Sequence, residues 1–441
     1  MTDVAGGPIA NFRPGIYLWN PITNANAQYS VSIFDRYAYN HDGPDENQLL
    51  SAKLSTKVNT GGILTIKVPP NNKNLQYVID NWDTEFPGVG LVPMNTNFRC
   101  LAQWIRCIVV LPNGKTWFGR PEIMEYDQNG IAEITFEGCL SLLTDFIVDH
   151  YDYQEYYKDQ DPEEVHGGIS IKDFVKVMIE RADSQVAGKT NSDYRRVFQT
   201  VDSQAANERV YPVSDSFQTI YDALIDGVTE LSRGYFDSSF EYNDDNARYY
   251  QYVYFKYYTA FSGDWSLPRD SIKSLSKGVD FTNNTWLRLA PFGSKLDNSE
   301  RRVDITSVAE SSIHPSGSIW VSSNADMADP MNSFIKDIVT VAEIFDGVTE
   351  PEILYKLGRQ IVANNYLRNA TKKFSMNCLG FYNETNNVGT LYQGTPDIQQ
   401  GDIQIGKYYQ AEGMNRKLDC ISAEYDLLNP ANDSYEFEEH I

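Results

Sequence analysis

The segment from Lys115 to Asp145, KTWFGRPEIMEYDQNGIAEITFEGCLSLLTD, decides the fold of the first part of the chain. Two strand-like runs meet in it at a turn and lead into an apolar stretch. Apolar and polar residues alternate from Ala132 to Glu137, which is the period-two pattern of a half-buried antiparallel strand. The turn is Asp127-Gln128-Asn129-Gly130, because Asn and Gly accept the positive φ that tight hairpins demand. The segment therefore predicts a β-hairpin, and nothing in it indicates catalysis.

Strand and turn patterns surround this hairpin throughout residues 1–148. The strand-like runs are YSVSIFDRY (29–37), LLSAKLSTKVN (49–59), ILTIKVPP (63–70) and CLAQWIRCIVVL (100–111), the last followed by the turn Pro112-Asn113-Gly114. The run from Asn74 to Trp82, NLQYVIDNW, is predicted as a short helix riding on these strands. The region is predicted to be an antiparallel barrel or sandwich.

The centre of the chain indicates an α+β region. After an acidic connector at residues 151–168, a helix is predicted behind Ser170 and Asp173 from the spacing of Ile171, Phe174, Val175, Met178 and Ile179. A second helix is predicted between Phe217 and Leu231 from the same spacing. Two aromatic strands follow from Gly234 to Phe261. The second of them carries Tyr250, Tyr252 and Tyr254 on one face and Val253, Phe255 and Tyr257 on the other.

The last third returns from helix to strand. Thr349-Glu350-Pro351-Glu352 is a capping box with Pro in the first turn, which predicts a helix through Ile353, Leu354, Leu357, Ile361 and Val362. From about Lys372 the patterns alternate again, in FSMNCLGFYN, in IQIGKYYQ after the Gly401-Asp402 turn, and in LDCISAEYDLL before Asn429-Pro430. A second, smaller β domain is predicted to close the chain, with no literal repeat of the first.

Composition narrows the class of protein. A chain of 441 residues is long enough for about two to four domains. The net charge of −23 argues against a wrapping contact with nucleic acid, whereas a plain solvated acidic surface and an acidic lumen that DNA slides past both stay open. The N-terminus lacks a signal-peptide pattern and no window reaches about 18 apolar residues, so we expect a soluble, unsecreted protein.

Cysteine and tyrosine usage adds two expectations. The five cysteines are scattered without CxxC spacing and are predicted to be buried reduced thiols: Cys100, Cys107, Cys139, Cys378 and Cys420. The 29 tyrosines suit sheets, subunit interfaces and sugar-binding faces alike, so their number does not select a function.

No motif for catalysis or ligand binding is complete. Gly114-Lys115-Thr116 has Val109 where the first glycine of GxxxxGKT must lie, and Gly188-Lys189-Thr190 has Asp183 there, so neither can form a phosphate cradle. GxSxG and HExxH do not occur. Asp127-x-Asn129-Gly130 superficially resembles a calcium loop, but a hairpin turn explains it. The histidines are far apart, in polar turns or at the terminus, where we expect solvation: His41, His150, His166, His314 and His440.

Two weaker hypotheses stay open. The acids from Asp159 to Glu164 offer paired carboxylates of the kind that glycosidases use, although exposed acids in a connector are usually only solvated. The tyrosines from Tyr250 to Tyr258 could form a sugar platform, although their two-faced alternation better fits a strand buried by neighbours. We predict no catalytic, cofactor-binding or metal-binding residues, no cofactor and no enzymatic activity.

Several segments resemble, in the same order, bacteriophage tail hub proteins, the trimeric baseplate hub rings at the tip of a phage tail. Lys115 to Asp145 resembles the end of the family's first domain, where a strand carrying FxGR precedes a hairpin and a short apolar segment. Here Phe118-Gly119-Arg120 has no residue between Phe and Gly. Four later segments resemble, in turn, an LxPxG run, the strand after it, the helix before the last barrel, and the closing barrel: WLRLAPFGS (Trp286 to Ser294), RVDITSV (Arg302 to Val308), Glu352 to Leu367, and Gln400 to Glu438.

The resemblance implies a β-rich α+β multidomain chain, with two split antiparallel β-barrels flanking mixed α/β crown domains. The implied domains are a first β-barrel at 1–148, a mixed α+β insert at 149–300, a second mixed domain with a long helix at 301–371 and a closing β-barrel at 372–441. In the family, the barrels of three subunits pair into a pseudo-sixfold ring.

The implied function is that of a structural virion protein at the tail tip. Such a homotrimer joins the sixfold tail tube and the distal tail ring to a threefold tip and surrounds the channel for tape measure protein and DNA, without specific DNA binding. Only Glu439, His440 and Ile441 follow the closing strand, so we expect no attached lytic domain and a separate spike, fibre or lysin protein as partner. A carbohydrate-binding host-recognition module of a virion and a cell-wall hydrolase are the alternatives.

Overall fold

The structure is a computed structural model of the 441-residue chain. It describes residues 13–19, 31–35, 49–72, 106–148, 168–186, 198–200, 209–210, 218–229, 234–243, 248–262, 266–267, 272–278, 286–296, 299–324, 328–329, 339–370, 373–379, 400–411, 413–414 and 416–440. The helix predicted from Asn74 to Trp82 and residues 151–167 of the acidic connector lie outside the described residues.

Strands dominate the described part of the chain. The strands of the first third are β1 (Gly15–Trp19), β2 (Val31–Asp35), β3 (Ser51–Lys57), β4 (Ile63–Val68), β5 (Arg106–Val110), β6 (Thr116–Tyr126) and β7 (Ala132–Gly138). Those of the centre are β8 (Ile169–Ser170), β9 (Phe198–Thr200), β10 (Arg209–Val210), β11 (Tyr235–Asn243), β12 (Arg248–Lys256), β13 (Thr259–Ala260) and β14 (Ile272–Gly278). The last third has β15 (Trp286–Phe292), β16 (Val321–Ser322), β17 (Val339–Ile344), β18 (Lys373–Leu379), β19 (Lys407–Gln410), β20 (Lys417–Asp426) and β21 (Ser434–Glu439).

Three α-helices are described: α1 (Ile171–Val186), α2 (Ile220–Leu224) and α3 (Pro351–Ala370). Helix α1 begins where the sequence predicts, because the hydroxyl of Ser170 accepts the backbone N–H of Asp173 at 3.1 Å. Helix α2 is shorter than predicted and continues as a π-helical turn over Ile225–Thr229. Helix α3 starts at the proline of the predicted capping box.

One large sheet contains 13 strands and unites both ends of the chain. Its path is β14-β18-β21-β20-β3-β4-β7-β6-β5-β1-β2, and β19 and β13 branch from β20. The predicted hairpin is β6–β7, with Tyr126 opposite Ala132. Its turn residue Gly130 has a φ of +77°. The predicted hairpin is therefore confirmed.

Two hydrophobic cores lie on opposite faces of this sheet, and β5 is buried on both. Cys107 and Val109 face the core shared with the closing strands, whereas Ile108 and Val110 face the core that contains α1, α2 and β12. The unbroken apolar run from Cys107 to Val110 is the pattern expected of a strand covered on both faces. The fold is therefore β-rich with helices packed on one side of the main sheet.

The predicted β-rich fold class is confirmed, but the predicted arrangement of two separate barrels is not. The described chain is β-rich with few helices, and the large sheet runs from β14 to β2 without closing within the described residues. The barrel arrangement and the four domain boundaries stay predictions. The predicted strand from Arg302 to Val308 is wrong, because the Asp304 carboxylate accepts the backbone N–H of Thr306 at 2.9 Å and turns the chain there.

Candidate functional site

The first and last parts of the chain meet at a seam between β3 and β20. The hydroxyl of Thr56 donates to the carbonyl of Ala423 at 3.2 Å, across 367 positions of sequence. The antiparallel ladder pairs Lys57 with Ser422, Thr56 with Ala423, Ser55 with Glu424, Leu54 with Tyr425 and Lys53 with Asp426. We define these five pairs as the seam.

The seam has one buried and one exposed face. Leu54 and Tyr425 point into the shared core, while Ser55 and Glu424 are exposed. The Lys53 ammonium lies 4.0 Å from the Glu424 carboxylate, but both side chains are more than half exposed. Such a pair contributes little to stability. Backbone hydrogen bonds and buried apolar side chains therefore hold the seam together.

Two glycines allow the hairpin β6–β7 to pack closely against the turn between β3 and β4. Gly119 and Gly138 are cross-strand partners. A Cβ on Gly138 would lie 1.5 Å from the carbonyl oxygen of Gly61, and one on Gly119 would lie 2.3 Å from the Trp117 ring. The indole N–H of Trp117 donates to the same Gly61 carbonyl at 2.9 Å. Both glycines of the segment from Lys115 to Asp145 are thus required for this close packing.

Arg120, which follows Gly119, clamps the apolar stretch at the end of the hairpin. Its guanidinium donates to the Asp145 carboxylate at 2.6 and 3.3 Å and to Glu122 at 2.7 Å. Burial opposes the charge, but the hydrogen bonds and charges of these carboxylates raise the pKa of Arg120 overall. The 3₁₀ helix Cys139–Asp145 is therefore fixed to β6 through its last residue.

A buried carboxylate, Asp433, holds the closing strands. It accepts the backbone N–H of Asp426 at 2.8 Å, the amide of Gln400 at 2.9 Å and the hydroxyl of Tyr435 at 3.3 Å. Burial raises the pKa of Asp433 to about 8, although these donors favour the charged form. The predicted Gly401 turn adjoins this network, and a Cβ on Gly401 would lie 2.5 Å from the side-chain oxygen of Asn113 in the β5–β6 turn.

Asn59 connects the seam end of β3 to the central region. Its φ of +62° places it in the left-handed region that Asn tolerates. Its side-chain oxygen accepts the backbone N–H of Phe236 at 2.7 Å, and its carbonyl accepts the hydroxyl of Tyr221. No role of Asn59, Arg120 or Asp433 is predicted from the sequence. The Phe-Gly-Arg motif could have pointed to Arg120, and the closing motif from Gln400 to Glu438 could have pointed to Asp433.

The other candidate residues from the sequence are partly described by the structure. Cys107, Cys139 and Cys420 are buried thiols outside any disulfide, which confirms that prediction for these three. Cys100 lies outside the described residues, as do His41, His150, His166, the acids from Asp159 to Glu164 and the Gly188-Lys189-Thr190 run. No group of three or more potential metal ligands occurs among the residues that the structure describes. Asp127 makes hairpin-turn hydrogen bonds to Asn129 and Ile131, as expected.

Solvation is the wrong explanation for two histidines. His314 is fully buried, and its ring nitrogens lie 2.9 Å from the Trp320 carbonyl and 3.1 Å from the Ile305 carbonyl. His440 lies 2.7 Å from Asp419 and stacks on the ring of Tyr408. The turns around His314 bring its carbonyl partners, whereas the pairing of β20 with β21 brings the Asp419 carboxylate to His440.

A small recess with a cavity volume of about 10 Å³ lies beside the closing turn, between Gly15, Phe34, Val110, Gln400 and Leu427. That volume holds about one water molecule. The recess therefore does not indicate a substrate site. No helix in the described ranges is both long and apolar enough to span a membrane.

No protein-family model matches the chain, and the search of curated proteins found no match. Among solved structures, the chain is similar to the 43 kDa tail protein of prophage MuSo2 from Shewanella oneidensis, with 9% identity, a TM-score of 0.46, and coverage of 96% of this chain and 98% of that one. It is also similar to the tail protein from Neisseria meningitidis MC58, with 9% identity, a TM-score of 0.45, and coverage of 97% and 96%.

A third similar structure is the E. coli c3393 protein, described as a component of the type VI secretion system with structural similarity to the T4 bacteriophage tail proteins gp27 and gp5. It has 8% identity, a TM-score of 0.35, and coverage of 89% of this chain and 73% of that one. All three similar structures are described as tail proteins or as similar to phage tail proteins. Because the TM-scores are below 0.5, function has to be argued from the chain's own residues and sheet connections.

Proposed function

We propose that this chain is a structural subunit of a phage tail hub, a homotrimeric ring at the tail tip. The ring joins the sixfold tail tube and the distal tail ring to a threefold tip and surrounds the channel for tape measure protein and DNA. Spike, fibre or lysin proteins bind on its distal side. The subunit carries no catalytic site of its own.

The seam is the observation that carries this proposal. The two segments that most resemble the hub family, Lys115 to Asp145 and Gln400 to Glu438, contribute β6, β7 and β19 to β21 to one sheet. That sheet has two different ends, β2 and β14, in the described part of the chain. A subunit with two unlike ends suits head-to-tail contacts, which close into a ring when the rotation permits.

Charge and rigidity also support a hub. A net charge of −23 keeps the DNA backbone from adhering to a channel wall, because binding to phosphates requires clustered Lys and Arg. The seam, the glycine contact and the Arg120 clamp fix the strands to one another. These properties suit a part that DNA passes through under mechanical load.

The mass and shape of the purified protein test this proposal. Size-exclusion chromatography with light scattering is expected to give three times the chain mass of 50.1 kDa, and negative-stain images are expected to show a threefold ring with a central channel. A protein that stays monomeric even with the distal tail protein present would contradict the trimeric hub. A map of the whole virion would then show whether the chain lies at the tail tip.

One observation favours carbohydrate binding as a second candidate function. The rings of Tyr252 and Tyr254 lie 6.2 Å apart on the less buried face of β12, whereas Val253 and Phe255 are buried on the other face. Glycan-array binding that is lost in Tyr254→Ala would support this function, with the exposed Tyr126→Ala as the matched control. Binding that is equal in both variants would speak against a Tyr254 platform.

A further inference from the structure

The three-stranded sheet of the last third has an exposed outer strand. Its order is β16-β15-β17, so within the described residues β17 pairs with β15 and with no other strand. Helix α3 packs against β15 and β16. Thr340, Ala342 and Ile344 of the outer strand are all exposed. We call the side of β17 that faces away from β15 the β17 edge.

Alternate backbone groups of β17 point to the β17 edge. The strands β15 and β17 are parallel, and Phe292 is the partner of Ile344. The backbone N–H of Phe345 donates to the Phe292 carbonyl at 2.7 Å, so Phe345 faces β15. In a strand, the N–H and C=O of one residue point to the same side, and successive residues alternate. Thr340, Ala342 and Ile344 therefore direct both groups to the β17 edge.

The β17 edge lacks the usual protection of an edge strand. Natural proteins commonly blunt such strands with Lys or Pro, and the sequence of β17, VTVAEI, contains neither. Its single charge is Glu343. Ile344 is 56% exposed although it is apolar. A strand with these properties is a template for pairing with a strand of another chain.

We propose that the β17 edge pairs with the β17 edge of a second copy of this chain. The two strands run antiparallel, with Ala342 opposite Ala342 on a twofold axis. Ala342 exchanges both backbone hydrogen bonds with its counterpart, and Thr340 does the same with Ile344 on either side of the axis. Every residue whose backbone points to the β17 edge thus finds a partner, and the Ile344 side chain gains a neighbour.

Charge and strand length select this register among the symmetric ones. With the axis at Ala342, Glu343 lies opposite Val341, and the two Glu343 side chains are diagonal neighbours about 7–8 Å apart. An axis at Glu343 would place two carboxylates directly opposite each other, which is destabilising. An axis at Val341 would leave Ile344 beyond the end of the partner's strand, since β17 begins at Val339. A second copy therefore complements the edge over its whole length.

The size of the contact determines when it forms. A contact between two short strands is small, and small interfaces are transient. It is expected at high protein concentration and not in dilute solution, where the mass test of the hub applies. A twofold contact cannot lie within a threefold ring, so between hubs it would join two rings. The inference does not depend on the hub proposal, because a monomeric chain would pair in the same way.

Oxidation of a variant with a new cysteine tests the register. In Ala342→Cys the two Cα atoms would lie about 5.5 Å apart across the axis, within the range of disulfides. We expect a covalent dimer on a non-reducing denaturing gel after mild oxidation at high protein concentration. Thr340→Cys is the matched control on the same edge, because its two copies would be offset by four residues, about 13 Å. Wild-type protein oxidised in parallel gives the background from the native cysteines.

Backbone and charge variants test the contact without a crosslink. Ala342→Pro removes an N–H that points away from β15, so the variant is expected to keep its fold, which circular dichroism checks. In sedimentation velocity we expect this variant to raise the Kd of self-association about tenfold, through lost hydrogen bonds. Glu343→Gln removes the diagonal repulsion and is expected to lower the Kd about twofold.

Three outcomes would overturn the proposal. The first is the absence of a covalent dimer in Ala342→Cys, or an equal yield in Thr340→Cys. The second is self-association that Ala342→Pro leaves unchanged. The third is slow hydrogen exchange of the Ala342 N–H that does not depend on protein concentration, because a segment of the same chain would then cover the edge. The mass of the dilute protein decides the hub proposal separately.

Discussion

At the scale of single residues, Gly138 leaves no room for a side chain. We expect Gly138→Ala to lower the free energy of unfolding by about 3 kcal/mol, because its Cβ would overlap the Gly61 backbone, which cannot rotate away. Gly114→Ala is the control. It meets no atom within 4 Å and carries only the cost of a left-handed φ, about 1–2 kcal/mol. Urea unfolding followed by tryptophan fluorescence measures both, and equal losses would show that the close approach is absent.

Asp433 gives the stability of the protein a predicted pH dependence. Its folded pKa of about 8 lies above the ordinary value of 3.8. Between these values the folded chain holds a proton that the unfolded chain has released, so stability falls as pH rises through this window. Asp433→Asn lacks this pH-dependent contribution. The free energy of unfolding of the variant should therefore rise relative to that of the wild-type protein as the pH increases from 5 to 8.5. Urea unfolding at several pH values measures the difference, and parallel curves would contradict the assignment.

At the scale of elements, Arg120 determines whether the 3₁₀ helix Cys139–Asp145 stays attached to β6. We expect Arg120→Met to lower the free energy of unfolding by about 2 kcal/mol, less than for a fully buried pair because Asp145 and Glu122 keep some contact with water. Faster hydrogen exchange should be confined to residues 139–146. Lys67→Met, which breaks the exposed pair with Glu133, should cost under about 1 kcal/mol. Uniform exchange across the sheet would argue against a local clamp.

Local elements were predictable where short-range physics decides them. The β6–β7 turn follows from Asn129-Gly130, the start of α1 from Ser170, and the start of α3 from Pro351. Contacts between distant residues had no such signal. Nothing near Thr56 indicates that it bonds to Ala423, and nothing near His314 indicates that carbonyl groups surround it.

At the scale of the whole molecule, β5 couples the two cores. Its alternate residues belong to different cores, so a change in one face of the strand displaces the other. The closing strands share only one of these cores, and they reach it through the seam. The β3–β20 pairing of the seam therefore joins the closing strands to the strands of the first third in one sheet.

A disulfide across the seam tests whether the first and last strands pair within one chain. Ser55 and Glu424 are exposed cross-strand partners, and Cα atoms of partners lie within the 4.4–6.8 Å range of disulfides. We expect Ser55→Cys with Glu424→Cys to oxidise readily into an intramolecular bond that migrates as a monomer on a non-reducing denaturing gel. Lys53→Cys with Ser422→Cys is the mismatched control, because these positions are offset by four residues along the ladder.

The pattern of products separates two architectures of the same sheet. An intramolecular bond means that each subunit completes its own seam before it assembles, so a ring has to form through other surfaces. Covalent dimers or trimers would instead mean that the closing strands pair with a neighbouring copy, as in domain swapping. Equal crosslinking in the mismatched control would contradict the β3–β20 register. The native cysteines Cys107, Cys139 and Cys420 are buried, so they should not compete for oxidation in the folded protein.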